Sequence, residues 1–180
     1  SRKKTIPKLL SVNIDKTIGC EYELIIIGNS QSKYSIFEAY NLGIKKSIGD
    51  YLCFIHDDIL FHTLGWGRIL NEIFKEDSGI GLIGIAGAKS KSKSPSLWWL
   101  CPENHKYFNL IQHIPNSSPE RWQTGFNENS IEEVVIIDGV FMVLRRQKDL
   151  YFSKKLNGFH NYDLIQRIYQ SGEKNIYVFI

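Results

Sequence analysis

Between Tyr22 and Ile55 two short apolar runs flank one amphipathic stretch, and that order leaves few folds open. Tyr22-Glu23-Leu24-Ile25-Ile26-Ile27 is an isoleucine-rich run that suits a strand covered on both faces. Gly28-Asn29-Ser30 behind it is a turn signal. From Ser35 to Ser47 the period changes. Ile36, Tyr40, Ile44 and Ile48 recur at helical spacing with Phe37 beside them, which predicts a helix. Ser35 with Glu38 three residues on is a capping box, and Gly49 marks the stop. Tyr51 to Ile55 is again short and apolar. Strand, helix and strand joined by tight turns predict a βαβ unit, its strands parallel neighbours with a right-handed crossover.

The pattern continues and then breaks. Leu64 to Lys75 predicts a helix with Leu70, Ile73 and Phe74 inward, and Ile80 to Ala86 a third strand of parallel type. Gly87 to Asn129 is rich in Pro, Ser and Lys, with Trp98, Trp99 and Trp122 embedded. An irregular segment of that length predicts a lid or binding loop, or else disorder, and the embedded tryptophans argue for at least partial order. Strand signals return at Val134–Ile137 and Val140–Leu144, followed by Arg145-Arg146. Asp163 to Ser171 predicts a helix stopped by Gly172, and Ile176 to Ile180 a last strand. The class is α/β, doubly wound in front and more irregular behind, in one domain over residues 1–180 without internal repeats.

Composition excludes some functions. Net charge is +3, from 22 basic and 19 acidic residues, too small a surplus to argue for nucleic acid. The run Lys89-Ser90-Lys91-Ser92-Lys93-Ser94 reads as a solvated, mobile loop. Cys20, Cys53 and Cys101 form neither a disulfide framework nor a zinc spacing, which fits a reducing, cytoplasmic setting. No apolar run reaches membrane-spanning length. The opening SRKKTIPK reads as the basic end of a loop, so the chain reads as a piece of a longer one, and a membrane-attached parent is compatible with it. Any one aromatic is more often core than ligand platform, but tryptophans in a loop also suit a sugar face.

Chemistry concentrates where strands end. In YLCFIHDDILF an apolar strand runs into His56-Asp57-Asp58. Adjacent carboxylates repel, so they either point into solvent at a turn or meet a cation. Ligands of doubly wound sheets bind beyond the carboxyl ends of the strands, which sets His56-Asp57-Asp58 beside Gly28-Asn29 on one rim. Carboxylates there can hold Mg²⁺ together with substrate phosphates; the plainer alternative is a solvated turn with an Asp cap. In Gly158-Phe159-His160-Asn161-Tyr162-Asp163, His160 and Asp163 lie three apart at a helix entrance. An ionised Asp163 in a cleft can act as general base; the alternative is an N-cap with His160 in the loop. In Asp138-Gly139 the glycine permits close backbone approach, and the Arg145-Arg146 pair reads as a phosphate contact, a sheet-edge feature or a strand cap.

Three blocks, in order, carry a family resemblance. SIFEAYNLGIKKSIGDYLCFIHDDI (35–59), IIDGVFMVLRR (136–146) and GFHNYDL (158–164) resemble the GT-A type glycosyltransferases, specifically the inverting family-two group, and look closest to its bacterial glycosyltransferase-like branch. The resemblance implies a GT-A-like, Rossmann-related mixed sheet flanked by helices, without the fold's first strand and C-terminal segment. It implies a nucleotide-binding part over about residues 1–86 and an acceptor side over about 87–180. Asp58 matches the metal ligand, for Mn²⁺ or Mg²⁺. Asn29, Asn41, His56, Asp57, Asp138 and Gly139 fall on the nucleotide-sugar side, and Trp98, Trp99 and His160 on the acceptor side. Asp163 matches the catalytic base. The implied reaction is hexosyltransferase-like, a displacement at the anomeric carbon with inversion. Its donor is a nucleotide-sugar and its acceptor a glycan or lipid-linked sugar, with peripheral association at the inner membrane face and a bacterial surface or capsular glycan as product. Two departures stand out: Gly28 where an acid usually contacts the base, and His56 where the first acid of the metal motif stands. Gly28, together with the absent first strand and C-terminal segment, keeps open a GT-A-shaped binding or scaffold protein without catalysis. A nucleotidyltransferase is the third reading, and the lack of a glycine-rich basic phosphate loop counts against it.

Overall fold

The computed structural model describes residues 8–91, 97–125, 131–152 and 176–179. Helix α1, Lys8–Thr17, opens the described chain. Leu10 and Ile14 are one turn apart and both buried, a helical signal that the neighbouring basic run obscures in the sequence. Helix α2, Ile36–Lys46, begins at the predicted capping box. The Ser35 N–H donates to Glu38 Oε2 at 3.0 Å and the Glu38 N–H to Ser35 Oγ at 3.3 Å. Strand β1 is Tyr51–Ile55 and helix α3 is Trp66–Glu76. Leu70 and Phe74 of α3 point inward as expected. Ile48, counted with α2 in the sequence, lies beyond it and is 86% exposed.

Tyr22–Ile27 is a correction. It belongs to no sheet, and the predicted parallel pairing with β1 does not form. Glu23 explains where the segment goes instead. Its carboxylate accepts from the Ile48 and Gly49 N–H groups at 2.5 and 3.2 Å, which ties the run to the end of α2. Leu24 and Ile26 are left partly exposed. An apolar run announces strand propensity but not which edge will accept it.

The remaining strands are β2 (Leu82–Gly84), β3 (Ala86–Ala88), β4 (Lys106–Gln112), β5 (Glu120–Thr124), β6 (Ile131–Val134), β7 (Ile136–Ile137), β8 (Phe141–Arg145) and β9 (Ile176–Phe179). One sheet has the order β1-β8-β2-β9-β6, the other β5-β4-β3-β7. Among the described residues only β2 and β9 pair in parallel; the other pairings there are antiparallel. The doubly wound parallel front is therefore replaced, among the described residues, by mixed α/β architecture with mainly antiparallel sheets. Among the described strands the chain changes sheet four times: at Ile85 between β2 and β3, between β5 and β6, at Val135 between β6 and β7, and between β7 and β8. The region predicted as irregular contains the β4–β5 hairpin, with Leu110 opposite Trp122. Lys89, at the head of the predicted mobile run, is also held: it pairs with Glu132 at 2.9 Å and lies over the Tyr107 ring.

Alternation along the strands builds two cores. Leu52, Phe54, Leu82, Met142 and Leu144 pack with Phe37 of α2 and with Phe152. Ile83, Phe141 and Val143 face the other way, onto Leu10 and Ile14 of α1 and Trp66, Leu70 and Phe74 of α3. The first sheet is thus sandwiched between α2 and the α1–α3 pair. The arginine pair closes both layers. Arg145 donates to Phe74 O and Asp77 O at the end of α3, and Arg146 to Ile44 O, Gly49 O and Ser47 Oγ at the end of α2. Cations there meet the unpaired carbonyls and the negative end of the helix dipole. No helix among the described residues is long and apolar enough to cross a membrane.

Candidate functional site

The antiparallel pairing of β1 with β8 builds the rim. With Ile55 opposite Phe141, the end of β1 meets the start of β8. The His56 N–H donates to Val140 O at 3.1 Å, extending the ladder by one residue. Asp57 and Asp58 then form a turn, with Asp58 exposed and His56 and Asp57 half-buried. Two motifs more than eighty residues apart in sequence, His56-Asp57-Asp58 and Asp138-Gly139, are so brought to one edge. A parallel sheet was the sequence argument for a rim; the rim forms by a different pairing.

Asp138 is held on all sides. Its N–H donates to Ala86 O at 2.8 Å. Its Oδ1 accepts from the Val140 N–H at 2.8 Å and its Oδ2 from Trp98 Nε1 at 2.6 Å. Trp98 is half-buried against the core, and Trp99 is 45% exposed. Their rings meet edge to face, with centroids 5.8 Å apart and planes at 90°. Gly139, next to Asp138 in sequence, is buried at the mouth of β8.

The two asparagines expected on the nucleotide-sugar side, Asn29 and Asn41, bond to the backbone. Asn29 donates from Nδ2 to Tyr34 O at 2.7 Å and accepts the Tyr34 N–H on Oδ1 at 2.9 Å, closing the loop before α2. Asn41 makes the same two-way pair with Phe152. His160 and Asp163 lie outside the described residues.

Tyr40 is a site neighbour that the sequence argument treated only as a helix-face residue. It packs on Phe54 and Phe152. Burial pushes its phenol up to about 12, with smaller upward contributions from Cys53 and the Asp138 charge. The Cys53 thiol is likewise pushed up to about 12 by burial. Cys53 borders a slot of about 790 Å³ along the open edge of β1, so water touches a thiol that protein otherwise surrounds. The slot reaches His56 and Asp57, but its walls come from all three layers beside the strand that Tyr22–Ile27 does not join. It is a gap in the sheet rather than a shaped ligand site, despite a volume typical of ligand pockets.

Among the described residues no three His, Cys, Asp or Glu side chains converge into a metal cage. The rim instead offers the exposed Asp58 with Asp57 next to it. Hard oxygen donors in that number fit Mg²⁺ or Mn²⁺ that keeps waters and shares substrate phosphates.

Comparison with known proteins adds one match. The model of a family described as "Glycosyltransferase like family" matches residues 7–178, a span that includes all three motif blocks. No curated protein matches the chain.

Proposed function

The chain belongs to this glycosyltransferase-like family, and from that premise we propose that it transfers a sugar from a nucleotide-diphosphate sugar to a hydroxyl of a glycan or lipid-linked sugar, with inversion. The observation that carries the reading is the β1–β8 pairing, which sets the Asp57-Asp58 turn beside Asp138 and the tryptophan pair. Asp58 would hold Mn²⁺ or Mg²⁺, with His56 and Asp57 flanking the donor. A cation held there would supply charge neutralisation for the departing diphosphate. The acceptor hydroxyl oxygen bonds to the anomeric carbon as the bond to the diphosphate oxygen breaks. The hydroxyl proton passes to the Asp163 carboxylate, and a nucleoside diphosphate leaves. Holding base and leaving group on opposite sides of the carbon favours in-line attack. Asn29 acts indirectly, by fixing the loop before α2, and Asn41 by tying α2 to Phe152.

Calorimetry with UDP, GDP and their sugars, with and without Mn²⁺, tests the proposal. Metal-dependent binding that disappears in Asp58→Ala is the expected result. Its absence for every nucleotide would sink the metal-dependent reading. A second reading, a binding protein of the same shape without catalysis, draws on Gly28. A Cβ there would meet nothing within 4 Å, so room for the usual acid exists and the acid does not. That reading predicts ligand binding without transfer in the unmodified chain.

A further inference from the structure

We infer that Asp138 is a positioning residue, whose carboxylate ties Trp98 to the rim so that Trp99 presents its ring to an acceptor pyranose. The role of Trp99 rests on the sugar-transfer reading above; the tie itself rests on geometry alone. The hydrogen bonds run without a break. Trp98 Nε1 donates to Asp138 Oδ2, the Val140 N–H donates to Asp138 Oδ1, and the His56 N–H donates to Val140 O. The indole is thus joined to the residue that begins the His56-Asp57-Asp58 turn. Bonds to an ionised acceptor are shorter and about twice as strong as neutral ones, and the 2.6 Å separation from Trp98 is of that kind.

The division of labour follows from what each ring has left to offer. Trp98 spends its N–H on Asp138 and packs against the core and the Phe108 ring, 6.3 Å away at 70°. Leu97 to Leu100 is a turn closed by the Leu100 N–H on Leu97 O at 3.1 Å. The two tryptophans occupy its central positions, so one ring goes inward and the other outward. Trp99 is held by the edge-to-face contact and keeps nearly half its surface open. An exposed indole face held rigidly suits the C–H face of a sugar ring. With both oxygens of Asp138 engaged inward, its part is to hold the platform rather than to grip the donor.

The experiment is ¹H–¹⁵N spectroscopy of the indole N–H groups, assigned with single Trp→Phe variants. In the unmodified protein the Trp98 N–H should exchange slowly with solvent. Asp138→Asn should speed that exchange by about tenfold or more, as loss of one charge-assisted bond implies, and move the Trp99 resonance. Trp98→Phe keeps an aromatic ring, drops the N–H and should move the Trp99 resonance likewise, which covers the case that Asp138→Asn folds poorly. Maltotriose, cellotriose and chitotriose are the probes for the platform. At least one should perturb the Trp99 resonance, and less so in Asp138→Asn. Unchanged Trp98 exchange in Asp138→Asn would overturn the tie, and silence of Trp99 toward all three sugars would overturn the platform. Neither readout needs nucleotide or metal, so loss of the sugar-transfer reading would show separately, in the calorimetry.

Discussion

Asn41 and Phe152 are joined by two opposed hydrogen bonds. Asn41 Nδ2 donates to Phe152 O at 2.9 Å, and the Phe152 N–H donates to Asn41 Oδ1 at 2.8 Å. One side chain on α2 so satisfies both polar groups of a residue that is 1% exposed. Phe152 also stacks on Phe37 of the same helix, 6.1 Å between centroids. Asn41→Ala strands a buried N–H and C=O together, at a cost of about 2–4 kcal/mol. Urea unfolding should show that loss. An unchanged midpoint combined with weakened nucleotide binding would return Asn41 to the donor side.

Arg146 gives a second stability test. Its guanidinium bonds Gly49 O at 2.8 Å, Ile44 O at 3.4 Å and Ser47 Oγ, so its donors cap the C-terminal end of α2 rather than meet a phosphate. Lysine carries the same charge without the planar fork. Arg146→Lys should therefore lower stability by about 1–2 kcal/mol while leaving nucleotide affinity within about twofold. A large loss of nucleotide affinity with stability intact would instead make Arg146 a phosphate ligand.

Tyr40 sets a pH dependence. Its phenol rises from the usual 10.0 to about 12 in the folded chain, mainly by burial. The folded state holds its proton where the unfolded state gives it up. The stability linked to the neutral phenol is then complete below pH 10 and is lost as pH climbs through about 12. Cys53 acts in the same sense, from 9.0 upward. Tyr40→Phe should flatten the upper part of this alkaline decline, measured as unfolding free energy between pH 9 and pH 12. An equal slope in the variant would mean that the phenol titrates normally.

What the sequence could tell follows the range of the interactions involved. The Ser35–Glu38 box, the inward faces of α2 and α3, and the strands β1 and β8 depend on neighbours in sequence, and they are legible there. Tyr22–Ile27 was equally apolar, but its place depends on the Glu23 carboxylate finding the end of α2. The hairpin of β4 and β5 was obscured because Pro, Ser and Trp dominate its surroundings, although KYFNLIQ and ERWQT flank a clear turn. Of the site, the acidic turn was legible as a strand end. The bond between Trp98 and Asp138 was not, because forty residues separate them and the chain passes to the other sheet and back in between. The helix-capping work of Arg145 and Arg146 is hidden for the same reason: the carbonyls they meet come from other elements.

Asp58 and Asp163 should fail in opposite ways if one holds the cation and the other takes the proton. Asp58 is exposed at the rim turn, so Asp58→Ala removes a carboxylate with little cost to packing. It should abolish metal-dependent nucleotide binding, and transfer with it. Asp163 stands in the GFHNYDL block, inside the span of the family match. Asp163→Asn keeps size and polarity and removes the base. It should leave nucleotide and Mn²⁺ binding intact while lowering transfer by about 10²–10⁴, the usual worth of a positioned base. Calorimetry and product formation, run on both variants, give the comparison. Transfer retained in Asp163→Asn assigns the proton to another group. Binding lost in Asp163→Asn but retained in Asp58→Ala exchanges the two roles.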